Sequence, residues 1–372
     1  MKRTSIRRAV VPGIAVLALA LSACGAGNED DSSSNGDSGE GSSLSGELNI
    51  GGASSQEAAQ GAWLVGFQDA NPDVTVNYDP IGSGGGRENF ISGAFPLAGS
   101  DAYLEDEAPD NELTGATERC GAAPIEIPNY ISPIAVIYNL EGVEDLNLSP
   151  ATLAGIFAGQ ITDWDDEAIA ADNPDATLPS EPINPVHRSD ESGTTENFTD
   201  YLDAVAADVW TEGALEVWPQ QYGGEGAQGT SGVVSAVGST PNSIGYADAS
   251  QAGDLGTANV GVGDEFVGPT PDAAAAILDV SPRAEGKDAN AVVFDIDHST
   301  DAGGAYPIVL VSYMLACASY DDAAEGALAK GYLQYILSDE GQTQGAEEAG
   351  SAPLSDALAE EVRGIVDSIQ VG

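Results

Sequence analysis

The chain has 372 residues, of which 60 are acidic and 11 basic, so its formal net charge at pH 7 is −49. This charge excludes nucleic acid and anionic lipid surfaces as partners, because both are bound through basic patches. Three cysteines and two histidines, scattered without ligand spacing, predict no metal site and no cofactor. The acidity fits either general solubility or a saline habitat.

The first 24 residues have the pattern of an export signal. Four basic residues precede an apolar run from 9 to 21, which is shorter than the roughly 20 residues that a membrane span needs. The run ends in Leu21-Ser22-Ala23-Cys24, which resembles a bacterial lipobox. We therefore expect a signal peptide at 1–23, a lipid on Cys24 and an extracytoplasmic location at the cell membrane, periplasmic if the cell is Gram-negative. An ordinary cleavable signal with an incidental cysteine is the alternative.

The segment after the signal is predicted to be a tether. Residues 25–46 are mainly Gly, Ser, Asn, Asp and Glu, and Leu44 is their single large apolar residue. Such a segment buries too little apolar surface to offset the entropy lost on ordering. We expect the lipidated cysteine and a disordered tether at 24–46, with a root-mean-square reach of about 26 Å.

Strand-like and helix-like segments alternate through the rest of the chain, which predicts an α/β fold with open sheets. The predicted strands lie at 48–50, 74–78, 98–100, 134–138, 185–187, 244–246 and 308–311. The predicted helices begin at Ser54 or Ser55, Arg87, Ser149-Pro150, Ser192, Ala323 and Leu354. In such folds ligands bind at the carboxyl ends of strands, beside helix N-termini.

Two cysteines remain once Cys24 is lipidated, namely Cys120 and Cys317. Outside the cytoplasm an even pair of cysteines favours a disulfide, and two buried free thiols are the alternative. The acidic stretch 103–124, which contains Cys120, receives no functional interpretation.

Three segments share one order of residues: a strand, then small hydroxyl or glycine residues, then a helix. They are 52–55, 81–86 and 188–194. Each offers backbone N–H groups and a hydroxyl donor at a helix start, a combination that binds oxyanions. Singly, each is more often a helix cap or a turn. None is the phosphate loop of nucleotide hydrolases, because no Gly-Lys-Ser/Thr follows.

The third segment carries a family resemblance. Trp164-Asp165-Asp166, followed by Arg188-Ser189-Asp190-Glu191-Ser192-Gly193-Thr194, resembles the phosphate-binding protein of the Pst-type ABC importer. Further matching stretches, in the family order, are 81–85, 99–101, 223–226 and 243–246. The resemblance extends from about Glu47 to the C-terminus.

The resemblance implies a fold and a role. The fold would be a type II periplasmic-binding-protein clamshell of two α/β domains, with mixed sheets and crossover hinge strands. Domain I would be 47–139 plus 301–372, and domain II would be 140–300. The chain would be a monomeric solute-binding lipoprotein without enzymatic activity. It would capture inorganic phosphate and deliver it to the permease and ATPase subunits of an ABC importer.

The resemblance also implies a binding site. The phosphate-binding residues would be Ser54, Ser55, Ser83, Asp101, Arg188, Ser192, Gly193 and Thr194. Arg188 would form the one direct ion pair with the ligand, and Asp190 would hold Arg188 in place. Two departures from the family pattern affect this assignment. The paired serines at 54 and 55 leave the register of that contact open by one residue, and Glu191 adds an acidic residue beside the site.

Asp101 bears on the choice of ligand. A carboxylate beside an anion is repulsive unless the anion carries a proton to donate, which phosphate does and sulfate at neutral pH does not. Asp101 therefore favours phosphate over the alternatives, sulfate and molybdate. A hydrolase with Ser192 and His187 is disfavoured, because His187 and Arg188 are adjacent on a strand and point to opposite faces. A phosphate-binding surface sensor or adhesin remains an alternative.

Overall fold

The computed structural model describes residues 44–106 and 111–372. The predicted signal peptide, Cys24 and most of the predicted tether lie outside the described residues. The tether was expected to reach residue 46, and this boundary is wrong. Leu44 packs against the hydrophobic core and the first strand begins at Gly46. The single large apolar side chain of that stretch therefore belongs to the folded part.

Strands and helices alternate as the sequence pattern predicts. The strands are β1 Gly46–Gly52, β2 Val74–Asp79, β3 Ala98–Ser100, β4 Ile125–Asn139, β5 Asn147–Leu148, β6 Asn184–Arg188, β7 Glu225–Ala227, β8 Ser243–Asp248, β9 Gly256–Thr257, β10 Asn259–Val262, β11 Glu265–Val267, β12 Val309–Ala316, β13 Ser319–Tyr320 and β14 Gln370–Val371. The α-helices are α1 Glu57–Ala70, α2 Ser83–Ser92, α3 Glu112–Cys120, α4 Pro150–Phe157, α5 Glu167–Asp172, α6 Gly193–Ala206, α7 Gly229–Ser239, α8 Pro271–Leu278, α9 Ala323–Ile336, α10 Asp339–Ala349 and α11 Asp356–Asp367. In these described ranges, no helix combines the length and the apolar character that crossing a membrane requires.

One mixed sheet runs through the fold in the order β2-β1-β3-β12-β4-β8-β6-β7. β4 is the strand that joins its two halves. It pairs antiparallel with β12 over Ile125–Pro133 and antiparallel with β8 over Ile134–Asn139. We call β1, β2, β3, β12 and the first part of β4, with α1, α2 and α3, the first lobe. The second lobe is β6, β7, β8 and the last part of β4, with α4, α6 and α7.

The strands of each lobe that precede site residues are parallel. β1 pairs parallel with β2 and β3, and β6 pairs parallel with β7 and β8. Parallel strands are covered on both faces and their carboxyl ends open at one edge of a sheet. Large apolar side chains from both lobes fill the core, among them Trp63, Tyr130, Trp164 and Tyr332, all essentially inaccessible to solvent. This packing holds the strand ends in place.

The structure differs from the predicted elements at one point that matters for the site. The glycine run was expected to be a loop ahead of a helix beginning at Arg87, but α2 begins at Ser83. Gly82 makes the turn into the helix with φ of 95°, a conformation that favours glycine. A Cβ at Gly86 would lie 2.6 Å from the Cα of Gly52. The glycines are therefore helical because they let α2 lie directly against the backbone of β1.

Candidate functional site

The predicted site residues come together where the two lobes meet. Ser54 and Ser55 follow β1, Ser83 opens α2 after β2, and Asp101 follows β3. On the second lobe, Ser192 caps α6 after β6, and α7 begins directly after β7. All of the candidate side chains are buried, with Ser54, Ser83, Arg188, Ser192 and Thr194 each no more than 2 % exposed.

Asp101 lies at the centre of this arrangement. Its Oδ1 accepts hydrogen bonds from Ser55 at 2.7 Å and from Ser312 of β12 at 2.6 Å, and its Oδ2 accepts from Thr194 at 2.9 Å. Burial raises the pKa of Asp101, while the three hydroxyl donors and the charge of Arg188 oppose the rise. Two carboxylate oxygens offer about four acceptor positions, so one position on Oδ2 remains.

Ser54 joins the first lobe to the N-terminus of α7. Its hydroxyl lies 3.1 Å from the hydroxyl of Thr230 and accepts a hydrogen bond from the Thr230 amide at 3.1 Å. Its carbonyl accepts from the side chain of Gln251 at 2.9 Å. Ser54 or Ser55 was expected to cap the first helix, and this was wrong, since neither the 3₁₀ turn Ser54–Gln56 nor α1 has a side-chain cap. The hydroxyls bond across the site instead.

Close backbone approach also defines the site. A Cβ at Gly193 would lie 2.7 Å from the Cβ of Asp101 and 2.9 Å from the hydroxyl of Ser83, both on the opposite lobe. A Cβ at Gly82 would lie 2.8 Å from Oδ2 of Asp190. The lobes therefore touch through positions without side chains, at the starts of α2 and α6.

Arg188 supplies the positive charge. Its Nε donates to Oδ1 of Asp190 at 2.8 Å, and its Nη2 donates to Oδ2 of Asp190 at 2.5 Å. Burial raises the pKa of the Asp190 carboxyl, but hydrogen bonds from Arg188, its charge and the Gly229 amide outweigh burial and leave the pKa lowered. Asp190 thus occupies one edge of the Arg188 guanidinium. Two of the five N–H donors of Arg188 bind Asp190, and the other three are left for further partners.

The hydroxyl groups of the other predicted residues fall into two classes, according to where their protons are directed. The hydroxyl of Ser192 accepts from the Thr195 amide at 3.2 Å, as an N-cap does, and so keeps its own proton for donation. The hydroxyl of Ser83 likewise accepts from the Asp101 amide at 3.1 Å. The hydroxyl protons of Ser55 and Thr194, by contrast, are directed at Asp101. This leaves the backbone N–H groups of Ser55 and Thr194, and not their hydroxyls, as candidate donors to a ligand.

Two residues of the site escaped the sequence analysis, Thr230 and Ser312. Thr230 follows Gly229 at the start of α7, so it has the same order of strand, glycine, hydroxyl and helix as the three predicted segments. Ser312 interrupts the otherwise apolar run 308–316, and it is fully buried on β12. A hydroxyl inside a buried strand is the signal that could have identified it.

His187, the base of the alternative hydrolase, makes its contacts with Trp218 and its own strand. The His187 ring stacks on Trp218 with centroids 4.9 Å apart, and its Nδ1 lies 2.8 Å from the Arg188 carbonyl oxygen. Within the described residues no hydrogen bond links His187 to Ser192. The same part of the chain holds no group of three or more His, Cys, Asp or Glu suited to a metal ion.

A cavity of about 300 Å³ adjoins Asp101 but is not the oxyanion site. Carboxylates of Asp101, Glu105, Glu196, Asp200 and Asp295 line it. Neither Arg188 nor the residues at the start of α7 do so. An anion would be repelled from such a lining, so the donors at the helix starts are the better candidates for binding an oxyanion.

The predicted disulfide is present. Cys120, the last residue of α3, is bonded to Cys317, which follows β12, with Cα atoms 5.2 Å apart. The bridge lies in the first lobe, away from the candidate site.

Comparison with known proteins shows the family of this chain. Residues 37–340 match the family model described as PBP superfamily domain. A protein of Mycobacterium bovis named "Phosphate-binding protein PstS3" is 37 % identical over 374 residues, which cover 97 % of this chain and 98 % of that protein. The "Phosphate-binding protein PstS 2" of Mycobacterium tuberculosis is 33 % identical over 97 % of this chain and 98 % of its own length.

Solved structures share the fold at lower identity. The structure of a high-affinity periplasmic phosphate-binding protein, PfluDING, bound with phosphate superposes on this chain with a TM-score of 0.69 and 23 % identity. The match covers 86 % of this chain and 93 % of that one. The class is therefore a binding protein of the PBP superfamily, with the two-domain clamshell fold that the sequence predicted. More narrowly, the chain belongs to the PstS family of phosphate-binding proteins.

Proposed function

We propose that this chain captures inorganic phosphate outside the cytoplasmic membrane and delivers it to an ABC importer. The observation that carries the proposal is the buried set of donors around one carboxylate, Asp101, and one guanidinium, Arg188. The donors come from helix starts on both lobes, and such starts favour oxyanions because their N–H groups have no partner within the helix. Membership of a family whose curated members are named phosphate-binding proteins supports the same ligand.

The proposed ligand contacts are made by donors that are not already engaged in hydrogen bonds within the protein. One edge of the Arg188 guanidinium binds Asp190. The free edge binds two phosphate oxygens. Ser54, Ser83 and Ser192 contribute hydroxyls. Backbone N–H groups of Ser55, Gly193 and Thr194 contribute the remaining donors, while the Ser55 and Thr194 hydroxyls orient Asp101. We add Thr230 to the proposed phosphate-binding residues because its hydroxyl contacts the hydroxyl of Ser54.

Asp101 sets the selectivity in this proposal. Three hydroxyls donate to it, which is the arrangement of an ionised carboxylate, and one acceptor position remains on Oδ2. Phosphate fills that position with its own O–H. Sulfate or molybdate at neutral pH brings no proton, so two negative charges would meet in a buried site.

The mechanical part of the proposal is lobe closure. Phosphate binds one lobe, and closure then completes the donor shell. The expected domains, 47–139 plus 301–372 and 140–300, move about crossover strands. The change of partner within β4 between residues 133 and 134 supports a crossing point in that strand, slightly before the expected domain boundary at 139. The chain acts as a monomer and carries out no reaction.

Anchoring and transport partners belong to the same proposal. Lipidation of Cys24 keeps the protein at the membrane, and the tether of about 26 Å keeps it near a permease and its ATPase. Mass spectrometry of the mature N-terminus tests the anchor, and an unmodified Cys24 would remove it. A surface sensor or adhesin that uses the same site is the other candidate role, and no contact among the described residues favours it.

Calorimetric titration of the full-length chain in detergent with phosphate tests the binding proposal. Wild type should bind, and Arg188→Ala should lose at least about a hundredfold in affinity, because a charge-assisted, bidentate contact is removed. Arg283→Ala is the matched control, since Arg283 pairs with Glu361 at the surface. Binding by Arg188→Ala equal to that of wild type would refute this site.

A further inference from the structure

A buried arginine outside the proposed ligand shell joins the two lobes. Arg87, on α2 of the first lobe, is 3 % exposed. Its Nε donates to both carboxylate oxygens of Glu112 on α3, at 2.9 and 2.7 Å, and its Nη1 donates to the hydroxyl of Ser100 at 3.2 Å. Its Nη2 donates to Oε2 of Glu216 at 2.5 Å. Glu216 lies between α6 and β7, on the second lobe.

Both ends of this contact continue into the proposed phosphate site. The carbonyl oxygen of Glu216 accepts a hydrogen bond from the amide of Ser192, the N-cap of α6, at 3.2 Å. Ser100, which accepts from Arg87, directly precedes Asp101 in the chain. The ion pair therefore fixes the distance between two backbone segments that carry site residues, without itself contacting the ligand.

The carboxyl groups around Arg87 indicate that it stabilises the contact between the two lobes. Glu191 and Glu196 of the second lobe lie near Glu216, and burial followed by the charge of Glu216 raises the pKa of both, that of Glu196 to about 8. Glu216 Oε1 and Glu196 Oε2 are buried and have no hydrogen-bond partner among the described residues. Closing the lobes brings these carboxyls toward Glu112. One guanidinium between them turns a repulsive contact into an attractive one.

We propose that the Arg87–Glu216 ion pair is an interlobe latch, in which Arg87 and Glu216 are positioning residues that stabilise the closed, phosphate-bound form. The proposal rests on the proposed function, because a latch needs a ligand to close upon. Breaking the latch leaves the open form and its encounter with phosphate unchanged. The closed complex loses its interlobe ion pair, so phosphate escapes faster.

Glu216→Gln in the full-length chain tests the latch, since it removes the charge of Glu216 and leaves the Arg87–Glu112 pair within the first lobe. Phosphate binding is followed by stopped-flow fluorescence. We expect an affinity about tenfold weaker, carried by a faster dissociation rate, with the association rate and the melting temperature of the phosphate-free chain unchanged. Small-angle scattering at saturating phosphate should show a larger radius of gyration than wild type has.

Glu361→Gln is the matched control, because it makes the same substitution in the exposed ion pair with Arg283, and it should leave the affinity, both rates, the melting temperature and the radius of gyration unchanged. Wild-type affinity and rates in Glu216→Gln would overturn the latch alone. A matching loss of melting temperature and association rate would assign Glu216 to folding and would also overturn it. A wild-type chain that binds no phosphate would overturn the proposed function, and the latch with it.

Discussion

Thr194, at the start of α6 in the second lobe, donates a hydrogen bond of 2.9 Å to Oδ2 of Asp101 in the first. Both residues are buried, and the residue before Thr194 has no side chain to separate them. The carboxylate of one lobe is thus oriented by a hydroxyl of the other. Because this contact exists only when the lobes meet, the geometry of Asp101 depends on closure.

Gly193 offers a direct test of that dependence. An alanine Cβ there would meet Asp101 and Ser83 at 2.7 and 2.9 Å, closer than real contacts allow, and both belong to the opposite lobe. We expect Gly193→Ala to fold normally but to hold the lobes apart, with phosphate affinity reduced by roughly a hundredfold. Scattering with and without phosphate should show no compaction.

The matched control for this glycine is Gly61→Ala. Gly61 lies within α1 and a Cβ there would meet nothing within 4 Å. Alanine should leave phosphate affinity unchanged and raise stability by up to about 1 kcal/mol, because alanine favours helix. Wild-type compaction and affinity in Gly193→Ala would contradict the close approach seen between the lobes.

The disulfide should contribute to stability and not to binding. Cys120 and Cys317 are 197 residues apart, so the bond constrains a long loop of the unfolded chain. We expect the double variant Cys120→Ser, Cys317→Ser to lower the free energy of unfolding by about 2–4 kcal/mol in urea denaturation. Its phosphate affinity should match that of wild type, and a large loss of affinity would show that the bridge shapes the site.

Glu126 predicts how stability depends on pH. It is 1 % exposed, and burial raises its pKa from the ordinary 4.5 to about 7, against a hydrogen bond from the Leu104 amide. A carboxyl whose pKa is raised on folding binds its proton more tightly in the folded state. Its contribution to stability is complete below about pH 4.5 and is lost as the pH rises toward 7 and above.

Glu126→Gln should therefore flatten this part of the stability profile. The shift of the Glu126 pKa corresponds to roughly 3 kcal/mol between pH 4.5 and pH 8. Urea denaturation across that range measures it, with Glu361→Gln as an exposed control. An unchanged slope in Glu126→Gln would mean that the Glu126 carboxyl titrates normally.

The sequence predicted the fold and some local features of the candidate site because those predictions rested on local patterns. Ser192 is a helix cap, as its place before a helical run indicated, and Arg188 is buried on the strand face expected of it. The family resemblance placed Asp101 among donors, and the structure surrounds it with three hydroxyls. The cap at Ser192 and the strand face of Arg188 depend on residues close together in the chain, whereas the three hydroxyl donors of Asp101 lie 46, 93 and 211 residues away from it.

What the sequence did not predict depends on contacts between distant segments. Ser54 bonds to Thr230, 176 residues away, where a local reading gave a helix cap. The helical glycines after Gly82 follow from packing against β1, while glycine propensity alone indicates a loop. Glu216 and Arg87 are 129 residues apart, and no local pattern marks either as joining the lobes.

The central claim, that Asp101 selects a protonated oxyanion, is tested most directly by calorimetry with phosphate and with sulfate at pH 7. For wild type we predict phosphate binding at least about a hundredfold tighter than sulfate binding, because sulfate leaves the Asp101 charge unpaired in a buried site. Asp101→Asn should narrow this ratio, because it weakens the binding of phosphate and strengthens the binding of sulfate. Equal affinity of wild type for the two anions would contradict the account.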